Sequence, residues 1–423
     1  MAKRVVITGM GVVSPNGVGI PAFLNSLQQG TSGIKFMPHY RELNFSCQVA
    51  GMPAFEWSIL KDYISEVVLH GLKGTNIGYG LVAALDAWAD AGLERETVEP
   101  RWDTGCIFGN SVADTEAMKN VITRVDNKEV KKLGSRVVEQ AMNSSVTSYI
   151  SGRLGLANKV MTNSAACATG TQAILMGYEY IKHGYAPRML VGSAEHVDTY
   201  VYGAFDSMRV LSRKFNDEPE RASRPMSATA GGFVPGSGAG AMILEDLDVA
   251  LERGAHIYAE ILGGATNSGG QRLGGTMTAA NSVGVVRCVT EAIERSGVHT
   301  NDIDLISGHL TATNADRQEI QNWVQALGRR GDNFPLINSV KSMIGHSLSA
   351  AGSIEAVASV LQIVHGFVHP NINFEDPNPA ITDLVSLNNI PTEMIKKEVN
   401  IVAKANFGFG DVNSCLILSK YTQ

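Results

Sequence analysis

Two stretches of the chain follow one pattern, and this repeat limits the folds that the chain can adopt. NSAACATGTQAILMGYEYIKHG spans residues 163–184, and NSVKSMIGHSLSAAGSIEAVASVLQIVHG spans residues 338–366. Each begins with Asn-Ser after an apolar run, passes through small residues into an apolar helix, and ends in His-Gly. Two copies of one supersecondary unit would explain the repeat, and chance similarity is the alternative.

Short apolar runs that stop at Gly, Ser or Asn alternate with helical patterns along the chain. Such runs are typical of buried strands in a parallel or mixed sheet. The helical patterns NIGYGLVAALDAWADAGL and SVGVVRCVTEAIERSGV are each closed by a glycine, as helix C-caps often are. The strand-like runs are RVVITGMGVVS, TGCIFGNS, RMLVGSAEH, GAMILEDL, HIYAEILGGAT, IDLISGHL and PLINSV. The sequence therefore predicts an α/β fold.

The bulk composition is that of a globular protein with a large core. At roughly 100–200 residues per domain, 423 residues indicate two or more units or one large duplicated fold. The net charge of −6 argues against nucleic acid as a partner. The N-terminus lacks a signal-peptide layout and no apolar run approaches 18 residues, so we expect a cytoplasmic protein without a membrane span.

Cys167 lies among alanine, serine, threonine and glycine where the first repeated helix begins. Backbone N–H groups at a helix N-terminus favour a negative charge and can lower a thiol pKa from about 8.5 to roughly 3.5–7.5. A buried, space-filling cysteine is the alternative, and we keep that interpretation for Cys47, Cys106, Cys288 and Cys415. No CxxC pair is present, so neither a zinc site nor a disulfide framework is predicted.

Two histidines stand in unusual company. His309 follows the apparent strand IDLIS, and His346 follows Lys341 by five residues, with Glu355 on the next helix. Ligands bind at strand ends in open α/β sheets. One histidine beside a thiol would indicate a Cys-His hydrolase, whereas two imidazoles can donate hydrogen bonds to one carbonyl while its charge changes. A histidine satisfied within the core is the alternative for each.

Near the C-terminus, the loop FGFGD lies between two apolar runs. Glycines on both sides of Phe409 allow backbone conformations that other residues avoid. A turn between strands with buried aromatic rings is the alternative reading of this loop.

Together these stretches resemble the β-ketoacyl-acyl-carrier-protein synthases, and the resemblance runs the whole length of the chain. It includes SRKFNDEPERASRP and GGFVPGSGAGAMILEDLDVALERGAHIYAEI. It implies the thiolase-like fold, with a half at 1–250 carrying the cysteine and a half at 251–423 carrying the histidines, arranged as α-β-α-β-α layers. It also implies a tight dimer that needs no metal or cofactor of its own, because acyl carrier protein brings each substrate on phosphopantetheine.

The resemblance implies a role for each matching residue. Cys167 would be the acylated nucleophile, and His309 and His346 would assist decarboxylation. Lys341 and Glu355 would organise the site, and Thr311 and Thr313 would contact the phosphopantetheine. Phe409 would act as a gate, and its N–H would form the oxyanion hole with that of Cys167. The residues that would dock the carrier protein are Arg209, Arg213 and Lys214.

The implied reaction is a decarboxylative Claisen condensation of malonyl-carrier protein with the acyl chain on Cys167. The chain departs from the family pattern in a His309–Asp316 segment one residue shorter than usual, which puts the phosphopantetheine contact of Thr313 in question. Residues that differ from the usual ones are Met226, Ser227, Ala230, Gly231, Ser237, Leu310 and Asp411. We interpret these as specialisation and predict the active (alpha) ketosynthase of a type II polyketide or polyene system. It would form a homodimer, or a heterodimer with a chain-length-factor-like ketosynthase.

Three alternatives stay open. Fatty-acid elongation is the nearest, and a non-catalytic chain-length-factor-like subunit has the same fold. A thiolase is a third, but Cys415 lies in a strand after the FGFGD loop, where a second catalytic cysteine does not belong. TGMGVVSPNG resembles a dinucleotide fingerprint, but Ser14 occupies its third glycine position, so cofactor binding there is not predicted.

Overall fold

Strands and helices alternate through residues 3–422, the part of the chain that the computed structural model describes. The strands are β1 (Val5–Ser14), β2 (Gly17–Val18), β3 (Ile34–Phe36), β4 (Val49–Gly51), β5 (Thr104–Gly109), β6 (Val160–Met161), β7 (Arg188–Glu195), β8 (Gly238–Asp246), β9 (Ala259–Ser268), β10 (Leu305–Ser307), β11 (Leu336–Asn338), β12 (Phe367–Val368), β13 (Ile395–Lys396), β14 (Ile401–Gly408) and β15 (Val412–Ser419).

The α-helices connect these strands and cover both faces of the main sheet. They are α1 (Ile20–Gln29), α2 (Pro38–Glu42), α3 (Glu66–Gly71), α4 (Thr75–Asp90), α5 (Thr115–Asp126), α6 (Val137–Ala141), α7 (Ser145–Leu154), α8 (Thr169–Lys182), α9 (Thr199–Ser207), α10 (Leu247–Glu252), α11 (Ser282–Ser296), α12 (Ala315–Leu327), α13 (Lys341–Ile344), α14 (Ala351–His365) and α15 (Pro379–Thr382).

One large sheet contains the two halves side by side. Its order is β11-β10-β14-β15-β9-β1-β8-β7-β5-β6, with β2 on the side of β1. In one half, β5 pairs in parallel with β6 and β7, while β8 is antiparallel to β7 and β1. In the other half, β10 pairs in parallel with β11 and β14, while β15 is antiparallel to β14 and β9. The same pairing scheme therefore occurs twice, as the repeat in the sequence predicts.

The two halves of the sheet form two β layers, and the helices packed between and outside them complete five layers. The two helices of the repeat, α8 and α14, lie in the middle, and each contacts strands of both halves. On the outer faces, α4 packs on β1, β7 and β8, and α11 packs on β9 and β15. The α-β-α-β-α arrangement of the thiolase-like fold is confirmed. The boundary at residue 250 falls inside α10, and the division of the chain there stays a prediction.

Small residues let the two central helices approach each other closely. A Cβ atom on Gly170 of α8 would lie 2.5 Å from the backbone nitrogen of Ser353, and one on Gly352 would lie 2.4 Å from that of Thr171. No side chain fits at either position without moving a backbone. The glycine-rich and alanine-rich start of each repeated helix is therefore a packing requirement at the interface between the halves.

The glycines of TGMGVV have a similar explanation. Gly9 and Gly11 lie inside β1, where added Cβ atoms would be only 2.2 and 2.0 Å from carbonyl oxygens of α4. β1 then turns into the short strand β2 and does not open a helix. These glycines seat α4 on the sheet, which explains them without a dinucleotide.

The segment Leu348–His365 is long and apolar enough to cross a membrane by length and composition alone, with a mean hydropathy of 1.3. However, 89% of it is buried inside the protein, where it forms the central helix α14 and the turn before it. It therefore has the surroundings of a core helix. The sequence analysis underestimated how apolar this segment is.

Candidate active site

Cys167 lies in the short 3-10 turn Ala166–Ala168, which leads directly into α8. The turn begins with a left-handed residue, since Ala166 has a φ of 46°. The Cys167 side chain is 9% exposed and borders a cavity of about 1050 Å³. The thiol is thus held at the start of a central helix and faces a space large enough for a substrate chain.

Both candidate histidines converge on this sulfur from the other half of the molecule. His346 Nε2 lies 3.1 Å from Cys167 Sγ. The rings of His309 and His346 have centroids 5.2 Å apart and are nearly perpendicular, at 85°. The sulfur and one nitrogen of each ring all lie within 4.8 Å of one another. The structure thus brings the three residues together, while their catalytic roles stay predictions.

Backbone hydrogen bonds hold each histidine in place. His309 follows the carboxyl end of β10, and its N–H donates to Glu319 Oε1 at 2.7 Å. His346 follows α13, and its N–H donates to the carbonyl oxygen of Val234 at 2.7 Å. Hydrogen bonds to the backbone therefore fix both rings, one after β10 and the other after α13.

The thiol is not a resting thiolate, and the expectation of a lowered pKa is wrong for the unliganded site. Burial raises the pKa of Cys167 to about 11, while Lys341 and the backbone N–H groups of Phe409 and Cys167 offset only part of this effect. Desolvation of the charged form outweighs the helix start in this enclosed position. The sulfur therefore needs a base during the reaction, and His346 Nε2 is the group within reach.

Both imidazoles are neutral at physiological pH. Burial, with the positive charges of Lys341 and Lys404, lowers the pKa of His346 to about 3, although Glu355 opposes the shift. Burial, Lys341, His346 and Lys404 lower the pKa of His309 well below its usual range. Neutral imidazoles have one N–H donor and one acceptor nitrogen each, so both rings can donate one hydrogen bond into the cavity.

Two backbone N–H groups point at the Cys167 sulfur, those of Phe409 and of Cys167 itself. The turn that carries Phe409 packs tightly on the nucleophile loop, because a Cβ on Gly408 would lie 2.9 Å from the Ala165 oxygen and 3.2 Å from the Cys167 nitrogen. The Phe409 ring packs near Phe205, with centroids 6.2 Å apart. That these two N–H groups form the oxyanion hole stays a prediction.

A buried ionic network supports the histidines from behind. The ammonium group of Lys341 donates to Glu355 Oε1, and a second lysine, Lys404, lies 3.0 Å from Glu355 Oε2. Burial raises the pKa of Glu355, but the two lysines outweigh it and hold that pKa below the usual value. Asn406 Nδ2 joins the carboxylate at 2.9 Å and reaches His309 Nδ1 at 3.2 Å.

Sequence reasoning missed Lys404 and Asn406, although a signal was present. Both are fully buried in β14, and they alternate along the strand so that their side chains share one face. Two polar residues at alternate positions of a buried strand need partners, which here are Glu355 and His309.

The threonine segment is held by two buried acids that the sequence analysis also missed. Asp316 accepts from the backbone N–H of Thr311 at 2.8 Å, and the hydroxyls of Thr311 and Thr313 lie 3.0 Å apart at the cavity wall. Burial raises the pKa of Asp316 to about 6, and burial with Asp316 raises that of Glu319 to about 7. Acids three residues apart at the start of α12 share one face, which could have revealed the pair.

The candidate docking residues lie at the outer end of the cavity. Arg209, Arg213 and Lys214 are exposed, and Arg209 and Lys214 line the cavity itself, together with Ala230 and Gly231. The small, uncharged residues at 230 and 231 therefore line the cavity, and their place at its entrance stays a prediction. Arg213 is exposed next to Lys214 but does not line the cavity.

Asp411, where the family usually has glycine, has a specific structural task. It is buried with a φ of 61°, and its carboxylate accepts from the backbone N–H groups of Gln271 and Asn281, each at 2.9 Å. Gly410 N–H also donates to the carbonyl oxygen of Met277 at 2.7 Å. The loop 269–281, part of which lines the cavity, is thereby tied to the turn that carries Phe409.

The remaining departures from the family pattern are accommodated inside the fold. Leu310 and Met226 are buried in one hydrophobic cluster. Ser227 donates to Asp376, and Ser237 Oγ accepts from the Val197 N–H at 2.9 Å.

Cys167, His309 and His346 have ligand atoms of the types that transition metals bind. However, the buried ammonium groups of Lys341 and Lys404 lie close behind them, and they disfavour another cation in the same pocket. We assign no metal to these residues. That the protein needs no metal and no cofactor of its own stays a prediction.

Two family descriptions match the chain in sequence order. "Beta-ketoacyl synthase, N-terminal domain" matches residues 2–250, and "Beta-ketoacyl synthase, C-terminal domain" matches residues 258–375. The chain belongs to the β-ketoacyl synthase family. The 3-oxoacyl-[acyl-carrier-protein] synthase 1 of Escherichia coli (strain K12) is 35% identical over 431 residues, covering 99% of each chain. The protein is accordingly an acyltransferase of the condensing-enzyme class.

Solved structures agree over the full length. The structure of a type II polyketide synthase acyl-carrier protein in complex with its ketosynthase bound to the hexaketide contains a chain that is 29% identical, with a TM-score of 0.87 and 100% of both chains covered. The ishigamide ketosynthase/chain length factor is also 29% identical, with a TM-score of 0.88 and 100% of both chains covered. The proteins similar to this chain thus include a 3-oxoacyl-[acyl-carrier-protein] synthase and a ketosynthase of a type II polyketide synthase.

Proposed function

We propose that this protein is the active ketosynthase of a type II polyketide system and extends an acyl chain held on Cys167. The observation that carries the proposal is the 3.1 Å approach of His346 Nε2 to Cys167 Sγ, with His309 beside them at the wall of one cavity. A partner subunit without catalysis has no need of a thiol and two imidazoles at a common point.

The first step loads the nucleophile. His346 Nε2 accepts the thiol proton as the Cys167 sulfur attacks the thioester of acyl-carrier protein, and the N–H groups of Phe409 and Cys167 stabilise the oxyanion. The bond from the acyl carbon to the carrier sulfur then breaks, and the proton passes to the departing phosphopantetheine thiolate. Loss of one such oxyanion donor typically costs about 2.7–4 kcal/mol of barrier.

The second step makes the carbon–carbon bond. Malonyl-carrier protein enters, its carboxylate leaves as CO2, and the electron pair of the broken bond forms an enolate. The enolate oxygen accepts hydrogen bonds from His309 and from His346, which can adopt the tautomer protonated at Nε2 once Cys167 is acylated and has no proton to donate. The enolate carbon attacks the acyl carbonyl, the bond to the Cys167 sulfur breaks, and the thiolate takes up a proton. The product is a β-ketoacyl thioester two carbons longer.

A polyketide role is favoured by the small, uncharged part of the cavity wall at Ala230 and Gly231. It is also favoured by the full-length likeness to a ketosynthase of a type II polyketide synthase and to the ishigamide ketosynthase/chain length factor. Fatty-acid elongation is the second candidate, because the chain is 35% identical to a 3-oxoacyl-[acyl-carrier-protein] synthase. The test is incubation with malonyl-carrier protein and a range of acyl-carrier proteins, followed by mass spectrometry. Repeated extension to poly-β-keto products supports the polyketide role, whereas turnover that stops after each saturated chain is extended once supports elongation.

The cationic residues beside the cavity, Arg209, Arg213 and Lys214, suit an acidic carrier protein. We expect Arg213→Glu and Lys214→Glu to raise KM for carrier-bound substrate and leave kcat nearly unchanged. Lys397→Glu is the matched control, because Lys397 is exposed and lies far from the site. Its backbone N–H donates to the carbonyl oxygen of Gly366 at the C-terminal end of α14, and the 15 residues of this helix span about 22 Å. An equal rise in KM for the control would remove the docking assignment.

The assembly is part of the proposal. We expect a homodimer, or a heterodimer with a chain-length-factor-like ketosynthase, in the cytoplasm and without nucleic acid. Light scattering of the purified chain, alone and mixed with candidate partner chains, separates the two dimers. Alkylation with iodoacetamide and peptide mapping tests the non-catalytic alternative, which gains support if a cysteine other than Cys167 reacts first.

A further inference from the structure

Strand β14 places two fully buried polar residues, Lys404 and Asn406, directly behind His309. Neither lines the cavity. Their hydrogen bonds nevertheless converge on one ring nitrogen, His309 Nδ1, through the side chain of Asn406. The direction of each bond in this chain can be assigned from the chemistry of its end groups.

At one end, only donors face the Asn406 amide. The Lys404 ammonium group, which cannot accept, donates to Asn406 Oδ1 and to Thr171 Oγ1, the latter at 2.7 Å. Because the Thr171 hydroxyl oxygen accepts from the lysine, its proton is free to donate to Asn406 Oδ1 at 2.6 Å. The oxygen of the amide must therefore lie on the lysine side.

At the other end, an obligate acceptor confirms the orientation. Asn406 Nδ2 donates to the ionised Glu355 at 2.9 Å from Oε2. A flipped amide would set its oxygen against the Glu355 carboxylate and its N–H groups against the Lys404 ammonium group, so a buried acceptor would face an acceptor and a buried donor would face a donor. With the amide locked, its second N–H points at His309 Nδ1 at 3.2 Å, so Nδ1 must accept.

We propose that Lys404, Thr171 and Asn406 form a relay that fixes neutral His309 as the tautomer protonated at Nε2. This makes them positioning residues for decarboxylation, and that part rests on the proposed function. Nδ1 is occupied by Asn406, and Nε2 is the nitrogen left to donate to the malonyl thioester oxygen. The tautomer with the proton on Nδ1 would turn an acceptor toward a developing negative charge.

The tautomer can be observed without any activity. Nitrogen–proton correlation spectra of protein with 15N-labelled histidine distinguish a protonated from an unprotonated ring nitrogen, and loss of a signal in His309→Gln assigns it. We expect Nε2–H and bare Nδ1 in the wild type and the reverse in Asn406→Asp, whose carboxylate can only accept. A wild-type ring protonated at Nδ1, or no change in Asn406→Asp, would overturn the relay.

Kinetics supply a second readout. Thr171→Val removes the hydroxyl at constant shape and Thr171→Ser restores it, so we expect decarboxylation to fall in the first variant and recover in the second. For Asn406→Asp we expect a loss of about 10²–10³-fold in decarboxylation of malonyl-carrier protein, as for removal of one oxyanion donor, with little change in alkylation of Cys167.

Asn371→Asp is the matched control, because Asn371 is a buried amide with three hydrogen bonds elsewhere in the same half. An equal loss of decarboxylation in the control, or a Thr171→Val variant as active as the wild type, would contradict the proposal. If the wild type does not decarboxylate malonyl-carrier protein, the proposed function fails, while the tautomer measurement still decides whether the relay exists.

Discussion

The start of α8 and the start of α14 are the same structural unit put to different use. Each helix follows a 3-10 turn whose first residue is left-handed, Ala166 with a φ of 46° and Leu348 with a φ of 44°. The next residue is Cys167 in the first turn and Ser349 in the second. The preceding strands match too, since the Asn110 N–H donates to Asn163 and the Gly308 N–H donates to Asn338.

The surroundings of the two side chains differ in kind. Cys167 Sγ faces an imidazole, whereas Ser349 Oγ lies within hydrogen-bond distance of two oxygens, the carbonyl oxygen of Ala194 at 2.9 Å and Glu195 Oε2 at 2.7 Å. Glu195 also accepts from Ser111, which occupies the place after β5 that His309 occupies after β10. The comparison teaches that the fold supplies the same helix start twice. Only the first start, at Cys167, combines a nucleophile with a neighbouring imidazole base at the wall of a cavity.

The strongest way to break this comparison is to exchange the two nucleophilic positions. We expect Cys167→Ala to abolish condensation, on the order of the 10⁶-fold loss typical of nucleophile removal. Ser349→Cys in that background should not restore activity, because its neighbours are a carboxyl group and a carbonyl oxygen. Product mass spectrometry checks both variants, and restored condensation in the double variant would show that the second position is competent.

The Asp411 tether has a smaller expected effect. Asp411→Gly suits the left-handed backbone but frees loop 269–281 from the Phe409 turn, so we expect kcat/KM to fall by up to about 100-fold, as when a reacting group is misplaced by about 1 Å. Asp411→Asn keeps one acceptor oxygen and should lie between the wild type and the glycine variant. Steady-state kinetics with carrier-bound substrates measure the series, and a fully active glycine variant would count against the tether.

The two regions should also differ in the sign of their pH dependence. Burial raises the pKa of Glu195 to about 7, against the opposing bonds from Ser111 and Ser349, so its contribution to stability is lost as the pH rises from about 4.5 through 7. The pKa of His346 is lowered to about 3, so its contribution is lost as the pH falls below about 6.5. Each acts with a slope of up to about 1.4 kcal/mol per pH unit.

Urea unfolding of Glu195→Gln and His346→Gln between pH 5 and 8 measures these slopes. Relative to the wild type, we expect Glu195→Gln to gain stability as the pH rises and His346→Gln to gain stability as the pH falls. Parallel curves for wild type and variants would show that the burial of these groups is relaxed in solution.

The smallest effect concerns the second position alone. Ser349→Ala should lower the free energy of unfolding by about 1–3 kcal/mol, because Glu195 loses a buried hydrogen-bond donor. Its condensation rate should stay near that of the wild type, since Ser349 lies outside the reacting groups. A large loss of rate with intact stability would mean that the two helix starts are coupled.

The sequence predicted the parts of this molecule that depend on local pattern. The buried strands, the repeated helix starts and the placement of Cys167 all follow from periodicity and small residues. The prediction of a low pKa for the Cys167 thiol was wrong. The start of a helix can be read from the sequence, whereas the burial of the thiol depends on the whole fold. Lys404, Asn406 and Asp411 were missed or unexplained for the same reason, since their partners Thr171, His309 and Gln271 lie 97 to 233 residues away along the chain.

The close approach of Gly170 and Gly352 has a consequence beyond packing. The sulfur is delivered by one half and both imidazoles by the other, so neither half is an enzyme by itself. The contact between the two halves therefore sets the distance between Cys167 Sγ and His346 Nε2, across which the proton is transferred. Gly352→Ala adds one methyl group at this contact. We therefore expect it to abolish the reaction while the protein still folds.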